Sequence, residues 1–138
     1  MEQIFRVEIS SKFEELWRYN IVLMGGGFNA KGEQVDFASS TAQIAKVGTN
    51  FTEKPAQLED MPREYKITLS NCDNIATYIY LVPHTLPFSN EIGTAEPFDL
   101  KVEVWCDDEK IYSQRHKINQ WSGASIELKL PKKEEEEK

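Results

Sequence analysis

From Tyr65 to Leu130 apolar and polar residues alternate in short runs separated by turn-forming residues, the period-two trace of antiparallel strands with one wet face. Phe98, Leu100, Val102, Val104 and Cys106 make one side of a strand apolar, while Asp99, Lys101, Glu103 and Asp107 charge the other side, with Trp105 among them. The run predicts a hairpin over Phe98–Arg115. With Asp108 and Glu109 at its tip, Cys106 would face Ile111 on the apolar side and Trp105 would face Tyr112 on the polar side.

The same rule predicts further strands. Tyr65, Ile67 and Leu69 alternate with Lys66, Thr68 and Ser70, and the cluster Asn71–Asn74 reads as a turn. Ala76–Val82, with Tyr78 and Tyr80 on one side and Ile79 and Leu81 on the other, reads as a central strand covered on both sides. Pro83, Pro87 and Pro97 bracket a long connection that crosses from one sheet to another, and Ile126, Leu128 and Leu130 form a last strand after a turn at Gln120–Ala124.

Near the N-terminus Phe5, Val7 and Ile9 mark a first strand. Ser11 and Glu14 have capping-box spacing, and Phe13, Leu16, Trp17, Ile21 and Met24 follow at helical intervals, so a helix is predicted over Lys12–Leu23. The competing reading makes Tyr19–Met24 a second strand, because Ile21 and Val22 are β-branched. In both readings the chain reverses at Gly25, Gly26 and Gly27. Asn29, Lys31 and Gly32 suggest a tip, Ser39–Val47 a short helix or irregular strand, and Gly48–Pro62 a connection. A compact domain seldom carries a structureless loop of more than about 15 residues, so a further element is expected within Phe28–Pro62.

The fold class that follows is mainly β: an antiparallel β-sandwich of six to eight short strands with one N-terminal helix. A small barrel, or a sheet under one helix, also fits the spacing. The sandwich would occupy residues 1–131 as a single domain, and 132–138 would be a charged disordered tail.

Composition supports a chain that folds alone: Leu, Ile, Val and Phe supply 34 of 138 residues, above the roughly one-fifth below which charged chains tend toward disorder. The net charge of -7, only two His and no basic stripe argue against a nucleic-acid partner and an anionic membrane surface. Apolar runs such as Ile21–Met24 are too short to span a bilayer, and the first ten residues lack an export signal, so a cytoplasmic location is expected. Cys72 and Cys106 lack C-x-x-C spacing and read as two buried thiols.

Candidate chemistry is sparse. Gly25–Gly27 with Lys31 and Gly32 lacks the spacing of a phosphate-binding loop and reads as a turn. Asp73, Glu91, Asp107, Asp108 and Glu109 fall in loops without calcium-loop spacing, so no metal or other cofactor is predicted. His84 and His116 lie outside any catalytic signature and read as surface residues, so no enzymatic activity is expected.

Trp105 is the sharper feature. On the inferred register it shares a face with Tyr112, Glu103, Lys101 and Gln114, an aromatic platform among polar groups suited to anchoring a protein or stacking on a sugar. The alternative is intramolecular cover, by Phe13, Leu16 and Trp17 or by the segment Phe37–Phe51. Trp121, at a turn, is expected to plug one end of the sandwich.

The function expected is a non-catalytic protein-interaction or structural module of a larger assembly. Its partner would be another protein, or a second copy joined through a sheet edge. A carbohydrate- or calcium-linked ligand-binding sandwich and a hydrolase with an unrecognised site are the alternatives.

Overall fold

A computed structural model describes residues 3–42, 45, 46, 49, 63–85 and 96–130. Among them are eight strands in two antiparallel four-stranded sheets packed face to face, a β-sandwich. The strands are β1 (Gln3–Ser10), β2 (Tyr19–Phe28), β3 (Gln34–Ala42), β4 (Glu64–Cys72), β5 (Asn74–Pro83), β6 (Phe98–Cys106), β7 (Glu109–Ile118) and β8 (Ala124–Leu130). One sheet has the order β4-β1-β6-β7, here the charged sheet; the other, β3-β2-β5-β8, is the aromatic sheet.

Among these strands β2–β3 and β6–β7 are hairpins between sequence neighbours; the other connections carry the chain from one sheet to the other. The crossing after β4 is abrupt. Asn71 takes a left-handed φ of 57°, and the Asp73 N–H donates to the Phe28 carbonyl at 2.8 Å, so the strand ends over the opposite sheet instead of folding back on its neighbour. The long connection after Pro83 also changes sheets, as its prolines suggest, and 86–95 lies outside the described residues.

Period-two alternation builds the core. Phe5, Val7 and Ile9 of β1, Ile67 and Leu69 of β4, and Leu100, Val102 and Val104 of β6 face Ile21 and Leu23 of β2 and Ile75, Ile79 and Leu81 of β5. Across the interior β4 contacts both β2 and β3, and the facing residues there are small: Gly25, Gly27 and Ala38.

Two expectations fail in the N-terminal third. The helix over Lys12–Leu23 is replaced by a single 3₁₀ turn, Leu16–Arg18, after which β2 begins at Tyr19. The β-branched pair Ile21 and Val22 outweighs the helical spacing, because Ile21 and Leu23 reach the core at period two. The reversal at the three glycines is also wrong. β2 runs through them to Phe28, and the turn falls at Asn29–Gly32, where the Asn29 side chain accepts the Lys31 and Glu33 N–H groups, each at 2.9 Å. The glycines answer to packing: a Cβ on Gly25 would stand 2.9 Å from Ile67 Cδ1, and one on Gly27 2.8 Å from Cys72 Sγ.

The further element expected within Phe28–Pro62 is β3, Gln34–Ala42, which overlaps the short helix or irregular strand read at Ser39–Val47 only over 39–42 and is a strand there. Most of Gly48–Pro62 lies outside the described residues, as does the tail 132–138.

Candidate functional site

The outer face of the charged sheet is closed by its own side chains. Arg6 of β1 lies opposite Trp105 of β6, with its guanidinium 4.5 Å from the indole centroid, and the Lys110 ammonium sits 5.2 Å from the same ring. Beside them Glu103 receives Lys110 at 2.8 Å, Lys101 at 3.4 Å and the Ser113 hydroxyl at 3.3 Å. These contacts, the Lys110 hydrogen bond first, hold the Glu103 carboxyl below the usual carboxylate range. A polar hollow of about 250 Å³ between Glu8, Ser10, Glu64, Lys66, Lys101 and Glu103 continues this lattice. Trp105 is therefore half-buried under cations of its own sheet; among the described residues expected over it, Phe13 stacks on Phe98, Leu16 and Trp17 are buried, and Phe37 belongs to the other sheet, while much of Phe37–Phe51 lies outside the described residues.

The aromatic platform does not assemble. Trp105, Glu103 and Lys101 share the outer face, but a bulge between Val104 and Trp105 shifts the hairpin register, so Trp105 pairs with Lys110 and Tyr112 pairs with Val104. Tyr112 and Gln114, which pairs with Val102, consequently lie on the inner face. The tip falls at Asp107–Asp108, with Asp107 at φ 55°, and Cys106 faces Glu109 instead of Ile111.

Neither histidine is a surface residue. His84 is 1% exposed; its Nε2–H donates to the Trp17 carbonyl at 2.8 Å, and its Nδ1 lies 2.8 Å from the Thr85 hydroxyl. Burial, chiefly, pushes its pKa below the ordinary value. His116 is half-buried on the inner face of β7 with Nε2 2.9 Å from the Tyr112 hydroxyl, and burial lowers its pKa as well.

His84 belongs to a polar cluster that closes one end of the sandwich around Arg18, which is fully buried. The Arg18 guanidinium meets Glu15 at 3.0 Å and donates to the Thr85 carbonyl and to Gln120 Oε1. The Phe13 and Tyr19 rings lie 5.5 and 5.3 Å from its carbon, and Phe13 stacks on Phe98 at 4.1 Å. Tyr19 donates its hydroxyl to the Gln120 carbonyl at 2.8 Å, and burial raises its pKa to about 12. These groups tie β2, β5 and the turn after β7 together. Trp121, in that turn, is half-buried beside them in sequence, with its backbone N–H on Asn119 Oδ1.

The opposite face is of another kind. The aromatic sheet turns Val22, Met24, Gly26 and Phe28 of β2, Phe37 of β3, and Tyr78, Tyr80 and Val82 of β5 outward, with Val35 in a bulge of β3 between Gln34 and Asp36. β5 is central, as expected, but no described strand packs on its outer side, where Tyr78 and Tyr80 are half-buried and Val82 is exposed. Phe37 is 59% and Val35 47% exposed. Because Gly26 has no side chain, a hollow of about 170 Å³ opens over it, walled by Met24, Phe28, Phe37 and Tyr78 with Gln34 at its edge. The sequence shows a trace of this surface in the apolar-on-both-sides pattern of Ala76–Val82. Phe37 escapes notice because its strand is otherwise built largely of Ala, Ser and Thr.

Among the described residues no group of three or more His, Cys, Asp or Glu could hold a metal ion. Of the loop carboxylates, Asp107 is engaged with β1, its Oδ1 accepting the Ile4 N–H at 3.1 Å. No helix among the described residues is long and apolar enough to cross a membrane. Cys72 and Cys106 are free thiols; Cys72 is buried and Cys106 half-buried.

No family model matches the chain, and no curated protein matches it in sequence. Among solved structures, a DUF4425 family protein from Bacteroides ovatus is similar over 94% of both chains, with a TM-score of 0.48 and 7% identity. A domain of unknown function, DUF4425, from Bacteroides vulgatus is similar over 94% of this chain and 92% of its own, with a TM-score of 0.40 and 12% identity. At these values the likeness carries no argument about function.

Proposed function

We propose that this chain is a non-catalytic protein-interaction module that docks a partner on the outer face of the aromatic sheet. The observation behind this reading is the apolar surface around Phe37, Val35, Phe28, Met24 and Tyr78 on a chain of net charge -7. Contiguous exposed apolar surface of this kind is uncommon on a protein that works alone. Covering Phe37 would recover about 1–2 kcal/mol of transfer free energy, and aromatic side chains beside a hollow are the usual anchors of a protein interface. The hollow favours an apolar side chain over a sugar, since Gln34 and Tyr78 supply the polar side chains among its lining residues and the rest are apolar or glycine. Free thiols at Cys72 and Cys106 suit the reducing compartment expected from the sequence.

The test is a photoreactive benzoyl-phenylalanine at position 37 in cells that make the protein, with exposed Thr68 on the outer face of the charged sheet as control position. A discrete protein adduct from position 37 that disappears with Val35→Glu supports the reading. Adducts no more frequent at 37 than at 68 would remove it.

A further inference from the structure

We propose that the occupant of this surface is a second copy of the same chain, packed face to face through the outer side of the aromatic sheet about a two-fold axis along β2. The inference rests on the interaction reading above and names its partner.

Charge sets this face apart. The outward residues from Val22 to Phe28 on β2, from Phe37 to Thr41 on β3 and from Asn74 to Val82 on β5 include none that is charged. β8, at the far edge of the sheet, adds Glu127 and Lys129, of opposite sign and 3.9 Å apart. Each strand of the charged sheet, in contrast, turns charged side chains outward. An uncharged centre with aromatic and Met side chains is the composition of an interface core. On a chain of net charge -7 it offers a charged partner nothing to pair with, whereas a second copy of the same face brings no charge to bury.

The face also complements itself in size. In successive rows across β3, β2 and β5 the outward residues are Phe37, Gly26 and Ala76, then Ser39, Met24 and Tyr78, then Thr41, Val22 and Tyr80. A half-turn about β2 lays β3 of one copy over β5 of the other and keeps the rows in step. Phe37 then meets Ala76 of the copy, Ser39 meets Tyr78 and Thr41 meets Tyr80, so a large side chain faces a small one each time and the tyrosine hydroxyls come to the Ser and Thr hydroxyls. Phe37 enters the hollow floored by Gly26 and Ala76, whose volume of about 170 Å³ exceeds the roughly 150 Å³ that holds a benzene ring inside a protein. Stacked sheets cross at roughly 30°, so the fit is closest in the Gly26 and Met24 rows. Three strands by four rows make about 400 Å² in plan on each copy, the small end for a specific interface, so the dimer exchanges with monomer. The contact is isologous and closed. The edge of β3 takes no part: it is bulged at Val35, and the Asp36 carboxylate already holds the Ser70 and Phe37 N–H groups.

The experiment is light scattering and sedimentation on the full chain at increasing concentration, at low and at high salt. The wild type is expected to approach twice the chain mass, at lower concentration in high salt, because salt screens the repulsion between two chains of -7 while the contact itself is uncharged. In high salt Ser39→Glu/Thr41→Glu, at two exposed positions, is expected to stay monomeric with the melting temperature of the dilute wild type. Thr68→Glu, on the outer face of the charged sheet, should dimerise like the wild type. In purified protein carrying benzoyl-phenylalanine at 37, irradiation should join two chains, the second attached between Ala76 and Tyr80. A wild type monomeric throughout, a dimer that high salt takes apart or that Ser39→Glu/Thr41→Glu leaves intact, or a cross-link confined to β3 of the copy overturns this inference. If position 37 then still yields an adduct in cells with a different protein, the interaction reading survives that failure; if it yields none in cells, both fall.

Discussion

Gly25 and Ile67 are in contact across the sandwich so closely that a methyl group on Gly25 would stand 2.9 Å from Ile67 Cδ1, with Leu69 Cδ1 at 3.1 Å and the Thr77 hydroxyl at 3.3 Å. Gly27 is as confined, with Cys72 Sγ at 2.8 Å and Cys72 Cβ at 3.0 Å. Between them Gly26 faces outward, where the nearest neighbours of a methyl would be the Phe28 ring at 3.4 Å and Gln34 Cδ at 3.7 Å. Three consecutive glycines therefore have two different reasons to be glycine. Gly25→Ala and Gly27→Ala are expected to cost about 1–3 kcal/mol each by overpacking the interior. Gly26→Ala is expected to change stability by less than about 1 kcal/mol, reduced freedom of the unfolded chain favouring the alanine. Urea denaturation of the three variants checks the pattern, and equal losses at all three positions would contradict it.

The glycines also show where sequence and structure part company. A GGG run reads as a turn because glycine frees the backbone, yet none of the three has a positive φ, whereas Gly32 and Gly123 do, at 83° and 73°. What fixes Gly25 and Gly27 is β4, a strand of the opposite sheet far along the chain, which no local pattern encodes. The β-sandwich, β1, most of β4 to β6 and β8 were legible because one face of each strand is buried and the alternation is clean. Register in the last hairpin was not, since one bulge at Val104/Trp105 moves Tyr112 and Gln114 to the opposite face. Of the expected site Trp105, Glu103 and Lys101 stay together, and their charges are spent on one another.

Thr77 offers a test of the core itself. Its side chain is fully buried on the inner face of β5, and its hydroxyl has no hydrogen-bond partner among the described residues. Thr77→Val keeps the shape and removes the unpaired group, so it is expected to stabilise the protein by about 1 kcal/mol. An increase in the denaturation midpoint with an unchanged denaturant dependence is the signature, and a loss of stability would mean that the hydroxyl is paired.

Arg18 is expected to be the costliest side chain to remove. Its loss strands Glu15, the Thr85 carbonyl and Gln120 at the closed end and takes away the cation beside Phe13 and Tyr19. Arg18→Ala is expected to cost about 3 kcal/mol or more. Arg18→Met, which keeps the packing volume, should recover part of it, whereas equal effects for the two variants would show that charge alone matters. In contrast Arg6→Ala, at a half-exposed position over Trp105, should cost under about 1 kcal/mol and shift the tryptophan fluorescence.

His84 should make the same end of the sandwich sensitive to acid. Burial is the main cause that lowers its pKa below the ordinary 6.5, the neighbouring Arg18 charge acts the same way, and the hydrogen bond to the Trp17 carbonyl opposes them only in part. In the window between the depressed folded value and 6.5 the unfolded chain therefore binds the proton and the folded chain does not. Stability accordingly rises with pH, by up to about 1.4 kcal/mol per unit for this one group. The contribution is complete above pH 6.5 and is lost as the pH falls below it. His84→Gln keeps an N–H that can reach the Trp17 carbonyl but cannot titrate, so it should flatten the fall in stability below pH 6.5 relative to the wild type. His116, lowered by burial too, is present in both proteins and cancels from the difference. A pH dependence that His84→Gln leaves unaltered would mean that this imidazole titrates alike in the folded and unfolded chains.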